Sequence, residues 1–63
     1  MSESVEFTAH VTNYTDDAIL VNIGLPKHVW IPRSVMDYEG YLAVGETIEI
    51  EVEEWFAIKE ELI

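Results

Sequence analysis

The chain contains no cysteine and only three basic side chains among its 63 residues. Without cysteine it can form neither disulfides nor thiolate metal sites. Lys27, Arg33 and Lys59 are its only lysines and arginines, so few groups are available to displace the counterions of phosphates. Nucleic acid and anionic membrane surfaces are therefore disfavoured as partners, and a protein with a basic surface is favoured.

Glycine and proline are scarce, at three and two residues. No apolar run approaches the roughly 20 residues of a membrane-spanning helix. Residues 1–4 carry an acid rather than bases, which predicts no signal peptide. The absence of a membrane-spanning run and of a signal peptide predicts a cytoplasmic protein.

The acidic excess is large, because thirteen acids give a net charge of −10 on a chain that is 49% hydrophobic. Disordered acidic segments combine high charge with few apolar residues, so this composition predicts a folded domain. The length has room for one small acidic domain, over residues 1–63. A domain of this size buries only about 60% of its unfolded surface, and oligomerisation is one common source of additional stability.

Alternating polar and apolar residues predict four strands in a meander. The first strand covers residues 5–12, and turn residues follow at 13–17. Residues 18–23 are almost continuously apolar, which predicts a central strand covered on both faces. A turn at residues 24–27 leads to a strand over 28–31 that ends at Pro32, because proline has no N–H for the ladder. The fourth strand covers residues 47–53, with Ile48, Ile50 and Val52 facing inwards.

Two helical segments complete the prediction. Ser34 precedes Asp37 by three residues, the spacing of a capping box, which predicts a helical turn over residues 35–39 closed by Gly40. In residues 54–63 the period changes, and Trp55, Ile58 and Leu62 fall on one face of a helix of about ten residues, which is too short to be stable unless it docks on the sheet or on a partner. The predicted fold class is α+β: a small, mostly antiparallel sheet of about four strands, as an SH3-like or OB-like partial barrel, with one C-terminal helix.

Residues 28–36, HVWIPRSVM, resemble the W-I-P-(K/R)-S stretch of small phage and prophage proteins of unassigned activity. In that group a strand rich in glycine and acids and a tail containing tryptophan follow. Residues 45–52 and 54–56 take these places here, so the resemblance covers about the second half of the chain. It implies a phage origin, and hence the host cytoplasm as the location, but it implies no catalytic or ligand-binding residue.

The acidic row of the last strand allows two interpretations. Glu49, Glu51 and Glu53 point outwards at a spacing of about 6.6 Å, twice the rise of a strand. The row either imitates a phosphate backbone and occupies a basic groove, or it keeps a small sheet soluble and prevents edge pairing. Alternation alone predicts solubility, whereas the crowding of further acids at positions 46, 54, 60 and 61 keeps mimicry open.

Trp30 points away from the core if Val29 and Ile31 point into it, and it would then anchor a partner together with Arg33, as Trp and Arg commonly do. Alternatively, the C-terminal helix covers Trp30 and makes it part of the core. Stacking of single-stranded bases on exposed aromatic side chains is a third interpretation. The net charge opposes that one.

No combination of residues indicates catalysis or metal binding specifically. His10 and His28 lack the spacing that fixes metal geometry. Ser34, with a histidine and an acid elsewhere, supplies only the residue types of a catalytic triad, and its predicted helix cap explains it. A catalytic carboxyl pair needs a pocket that so short a chain hardly encloses. We therefore predict that the protein is not an enzyme and has no cofactor.

The sequence thus predicts a protein that binds a basic or apolar surface of a host or phage protein, as a nucleic-acid mimic or an inhibitor. The predicted partner-binding residues are Trp30, Arg33, Glu49, Glu51 and Glu53. One alternative is an accessory barrel that binds single-stranded nucleic acid. Another is a homo-oligomeric structural component in which Trp55, Phe56 and the helix dock between copies.

Overall fold

The fold is built on five antiparallel strands in a computed structural model that describes residues 3–24 and 26–63. Met1 and Ser2 of the predicted domain, and Leu25 of the predicted turn, lie outside the described residues. The elements are β1 (Ser4–Tyr14), β2 (Ala18–Asn22), β3 (Val29–Pro32), a 3₁₀ helix (Arg33–Val35), β4 (Met36–Glu39), β5 (Thr47–Glu53) and α1 (Glu54–Lys59). The strands form one open sheet in the order β3-β2-β1-β5-β4. A small antiparallel sheet with one C-terminal helix is confirmed, with five strands rather than about four.

Strand β1 serves both halves of the sheet. Its residues 4–10 pair with β5, from Ser4 opposite Glu53 to His10 opposite Thr47. Its residues 10–14 pair with β2, and a bulge interrupts that register between residues 11 and 13. Bulges bend a strand and increase its twist. The central strand is therefore β1, and not residues 18–23 as predicted.

The two edge strands are joined by only the three residues of the 3₁₀ helix. In a flat sheet, four steps of about 4.8 Å would separate these edges by about 19 Å. The four residue steps from Pro32 to Met36 reach at most about 14 Å. The sheet must therefore curl, so that the end of β3 approaches the start of β4.

The core fills the inner face of this curl. Ile19 lies opposite Ile31 and Val21 opposite Val29, which confirms the predicted pairing of the second and third strands. The inward orientation predicted for the last strand is confirmed as well. The side chains that form the core are those of Ala9, Val11, Ile19, Val21, Val29, Ile31, Val35, Met36, Ile48, Ile50, Val52, Phe56, Ala57 and Leu62.

The predicted helical turn over residues 35–39 is wrong. The 3₁₀ helix begins at Arg33 with Pro32 as its N-cap, and no side chain caps it, so Ser34 forms no capping box. The chain returns to extended conformation at Met36 and continues as β4, paired with β5. A pairing partner distant in sequence therefore overrides the local helix signal.

Gly40 ends β4 rather than a helix. Its φ of +114° is a conformation that side chains rarely adopt, and a Cβ there would lie 3.2 Å from Cγ2 of Ile48. Glycine at this position thus lets the chain leave β4 close to β5.

Helix α1 has six residues rather than about ten, and of the two predicted alternatives for the face with Trp55, Ile58 and Leu62, docking of that whole face on the sheet is wrong. Phe56, Ala57 and Leu62 are buried, whereas Trp55 and Ile58 are exposed. The helix packs against β5 and β1. It thereby closes part of the open side of the curled sheet.

A Schellman motif ends α1. The Leu62 N–H donates to the Ala57 carbonyl at 2.7 Å, and the Glu61 N–H donates to the Ile58 carbonyl at 3.1 Å. Glu61 takes the left-handed position, with φ +58°. The reversal brings Leu62 back over Ala57 into the core, which a continued helix would not do.

Candidate interaction surface

Six carboxylates lie on the outer face of one half of the sheet. Alternation in β5 turns three of them outwards, as predicted, and the paired strands β1 and β4 add three more. We call this surface the acidic face; it consists of Glu6, Asp37, Glu39, Glu49, Glu51 and Glu53. All but Glu53, which is half-buried, are exposed.

The strand registers align these carboxylates in rows. Glu51 lies opposite Glu6 of β1 on one side and opposite Asp37 of β4 on the other, and Glu49 lies opposite Glu39. Like charges directly opposite each other destabilise a sheet by about 0.2–1 kcal/mol per pair. Three such pairs oppose folding, which acids dispersed over the surface would not do.

Hydrogen-bonded and non-hydrogen-bonded pairs alternate along the β1–β5 ladder, and this alternation brings Glu6 and Glu51 close together. The Val11 N–H donates to the Glu46 carbonyl at 2.9 Å, which marks a hydrogen-bonded pair in the β1–β5 ladder. Such pairs recur at every second residue, and Glu6 therefore belongs to a non-hydrogen-bonded pair. In these pairs the Cα atoms are about 4.5 Å apart rather than about 5.5 Å, and the side chains are closer.

Hydroxyl groups from β1 hold two of the carboxylates. Ser4 Oγ donates to Oε2 of Glu51 at 3.2 Å, and Thr8 Oγ1 donates to Oε1 of Glu49 at 3.1 Å. Because the hydroxyls are neutral, they orient the carboxylates without reducing their charge. The chain's lysines and arginine lie outside the three strands of this face, in the loop before β3, the 3₁₀ helix and α1.

Two open depressions lie along the acidic face. One, of about 350 Å³, is bordered by Glu6, Asp37, Glu39 and Glu49. The other, of about 410 Å³, is bordered by Asp37, Glu53 and residues 33–34. Both are open to solvent. The surface therefore suits a docked side chain or segment better than an enclosed small molecule.

Arg33 borders this surface, and two of its donors are used within the fold. Its Nη2 donates to the Thr15 carbonyl at 2.8 Å, and its backbone N–H donates to the Asp17 carbonyl at 2.8 Å. Its Nε is buried, with no hydrogen-bond partner among the described residues. Arg33 thus fastens the 3₁₀ helix to the β1–β2 turn, a role that the sequence did not indicate.

Trp30 is separate from the acidic face. It points outwards from β3, opposite Leu20 of β2, and its side chain is 46% exposed. Helix α1 packs on β5 and β1, so the alternative in which the helix covers Trp30 is wrong. The structure brings Glu51, Glu53 and Arg33 together around one depression, with Glu49 further along β5, but leaves Trp30 in the other half of the sheet.

Three members of the acidic face were missed by the sequence analysis. Glu6 had a usable signal, because it alternates with Val5 and Phe7 in a strand. Asp37 and Glu39 had none, because the capping-box spacing assigned them to a helical turn. Their position became clear only from the pairing of β4 with β5.

Glu51→Gln is expected to raise the free energy of unfolding by about 0.5–1 kcal/mol at low salt, because it relieves two like-charge pairs. Urea denaturation at low and at high salt measures this gain, which should shrink as salt screens the exposed charges. Glu46→Gln, in the exposed turn before β5, is the control with the same change in net charge. An equal gain in both variants would contradict the importance of the rows.

Among the residues that the structure describes, neither His10 nor His28 belongs to a group of side chains that could hold a metal ion. Both are exposed, and Nδ1 of His10 lies 3.5 Å from Oγ1 of Thr47. Within residues 3–24 and 26–63, no group of three or more histidine and acidic side chains is arranged to hold a metal ion. No helix in this described part of the chain is long and apolar enough to cross a bilayer.

The rows of carboxylates can accept charge-assisted hydrogen bonds from several lysine or arginine side chains at once. They do so on an open surface formed by three paired strands.

No protein-family model matches the chain, and no curated protein or solved structure shows detectable similarity to it.

Proposed function

We propose that this chain is a non-enzymatic binding protein whose acidic face docks on a basic surface of a partner protein. The observation that carries the proposal is the register, which sets like charges directly opposite each other across three strands. A sheet that needed only solubility would disperse its acids. A bound lysine or arginine turns the repulsion within each row into attraction, so the arrangement favours the complex over the free protein.

The same charges argue against other partners. Nucleic acid and anionic lipid would face a protein with a net charge of −10, and would meet repulsion at the acidic face. A basic protein surface is complementary, and long-range attraction would speed its association. A basic protein surface of this kind normally binds nucleic acid. A protein that occupied it would therefore act as a nucleic-acid mimic or as an inhibitor.

Three finer proposals accompany this one. The curled sheet, with β1 shared by both halves and a 3₁₀ helix joining its edges, supports an SH3-like or OB-like partial barrel. The W-I-P-R-S stretch at residues 30–34 supports a phage origin and action in the host cytoplasm. Trp30 would supply a second, apolar contact beyond the acidic face.

A homo-oligomeric role is a second candidate, and the exposed apolar side of α1 favours it. Trp55 and Ile58 are exposed on this short helix, and Ile63 beyond its end is exposed as well. Sedimentation over a hundredfold range of concentration separates the candidates. Assembly that Trp55→Ser abolishes supports the oligomer, whereas a monomer at all concentrations rejects it.

Binding of a fluorescent deca-lysine peptide tests the acidic face directly. We expect salt-sensitive binding that the variant Glu6→Gln/Glu49→Gln/Glu51→Gln weakens by about tenfold or more, since each lost pair contributes about 0.5–1 kcal/mol. The control variant Glu46→Gln/Glu60→Gln/Glu61→Gln has the same net charge but leaves the acidic face intact, and should bind within about threefold of the parent. Equal losses in both variants would mean that net charge alone attracts the peptide, and would reject the proposal.

A further inference from the structure

Strand β4 forms one edge of the sheet and borders the acidic face. It pairs with β5 on one side, and no further strand follows it in the sheet order. Asp37 and Glu39 point to the outer face with the other carboxylates, while Met36 is in the core. Tyr38 shares the inner side with Met36, and its side chain is 39% exposed. An edge of this kind is open to pairing with another chain.

The hydrogen-bond phase shows which backbone groups this edge offers. The Met36 N–H donates to the Arg33 carbonyl, within the 3₁₀ turn, and therefore does not point towards β5. Because the direction alternates along a strand, Asp37 and Glu39 bond to β5, whereas the N–H and C=O of Tyr38 point away from it. Among the described residues, no backbone group outside the β4–β5 ladder bonds to Tyr38. The edge thus presents a free donor and a free acceptor at Tyr38.

We propose, building on the function above, that β4 takes an extended segment of the partner as an added antiparallel strand with a basic–apolar–basic pattern. The residue opposite Tyr38 exchanges two backbone hydrogen bonds with it. In the partner segment, the two residues that flank this central residue form non-hydrogen-bonded pairs with Asp37 and Glu39. Side chains approach most closely in such pairs. Lysine or arginine at these two positions meets a carboxylate of β4, and the carboxylates of β5 lie one strand further in.

The middle residue of the added segment is apolar for a geometric reason. Its side chain projects to the face opposite its neighbours, because side chains alternate along a strand. There it lies beside the ring of Tyr38, which is 39% exposed and on the same side of β4 as the core residue Met36. Burial of this ring by an aliphatic or aromatic side chain adds a contact that a polar residue would not provide.

Charge complementarity selects a basic partner over a second copy of this chain. An antiparallel pair of two β4 strands centred on Tyr38 would place Asp37 of each copy opposite Glu39 of the other. Like charges directly opposite are destabilising, so the acids on this edge discourage self-pairing. The other edge, β3, carries no acid and ends at Pro32, which has no N–H to donate.

The test uses two synthetic peptides of identical composition, titrated into the ¹⁵N-labelled protein. One alternates lysine and valine over its central five residues, and the other carries its three lysines consecutively. We expect the alternating peptide to bind about tenfold more tightly, because only this order matches the register of β4. On binding, exchange of the Tyr38 amide with solvent should slow, whereas the Asp37 and Glu39 amides, already bonded to β5, should change little.

Two changes remove the backbone donors. Tyr38→Pro lacks the edge-facing N–H but keeps the bonds of its neighbours to β5, and should weaken binding of the alternating peptide about tenfold. Tyr38→Val keeps the N–H and should bind within about threefold of the parent. Methylation of the peptide at its valine nitrogens removes the partner's donors, and it should weaken binding whether or not the proline variant folds.

Each outcome decides between the two proposals. Equal affinity for both peptides, with no change at the Tyr38 amide, would overturn strand addition while leaving the acidic face as a binding surface. Failure of both peptides to bind would overturn the proposed function as well. Protection of the Tyr38 amide that depends on protein concentration, without peptide, would show that a second copy occupies the edge and would also reject the proposal.

Discussion

Phe56→Ala is expected to lower the free energy of unfolding by about 3–5 kcal/mol. Phe56 is 7% exposed, and it lies on the face of α1 that packs on the sheet. A chain of this length has a total stability of about 3–9 kcal/mol. The variant should therefore lose between about a third and all of this stability, as measured by circular dichroism during thermal denaturation.

The neighbouring residue provides the matched control. Trp55 is 53% exposed, and it lies on the helix face that was predicted to dock on the sheet or on a partner. Trp55→Ala should lower stability by less than about 1 kcal/mol, because an exposed side chain leaves no cavity behind. A larger effect at Trp55 than at Phe56 would contradict the orientation of α1 described above.

Ile50→Ala has the second large effect, with an expected loss of about 2–5 kcal/mol. Ile50 lies in the middle of β5, opposite Phe7 on one side and Tyr38 on the other, and is 2% exposed. Its truncation leaves a cavity beneath the acidic face, where the strands cannot close in without losing register. The loss is measured by urea denaturation.

A second isoleucine gives the comparison. Ile58→Ala removes the same atoms from an exposed position on α1, and we expect a change of about 0.5 kcal/mol or less. If both variants lost similar stability, burial would not explain the difference between the two sites. Loss of the acidic face in Ile50→Ala should also abolish deca-lysine binding, whereas Ile58→Ala should retain it.

The sequence predicted strands where one face is buried and the other is wet. In β5, three inward apolar residues alternate with three outward glutamates, and both orientations are confirmed. Strand β3 was predicted from its β-branched and aromatic residues, and its end from Pro32. These signals are local, because alternation and the missing proline N–H act within a few residues.

Strand β4 escaped prediction because it has no such signal. Only Met36 is buried in it, so no alternation of apolar residues appears. Its partner β5 lies beyond a loop that starts at Gly40, and Ser34 and Asp37 happened to match a capping box. Long-range pairing, which a local pattern does not contain, determined the outcome. Two of the six members of the acidic face were lost with this strand.

The error in α1 had a different cause. The pattern from Trp55 to Leu62 assumed that a helix continues to residue 62, whereas the Schellman motif ends it at Lys59 and turns the chain. Glu61 occupies the left-handed position where glycine is usual, so the expected stop signal was missing. Leu62 is buried because of this reversal, and helical periodicity therefore did not identify the face that packs on the sheet.

The sharing of β1 by two halves of the sheet has a consequence for the order of folding. The partners of β1 in β2, and those of β2 in β3, are close in sequence, whereas residues 4–10 must find residues 47–53. Closing the longer loop loses more chain entropy, and contacts between distant residues form slowly. We therefore expect the β1–β2, β2–β3 and β4–β5 hairpins to form first, and two of the three like-charge pairs already lie within β4–β5. Only Glu6 and Glu51 meet in the last step, when the first half of β1 pairs with β5 and burial of the β5 side chains in the core offsets their repulsion.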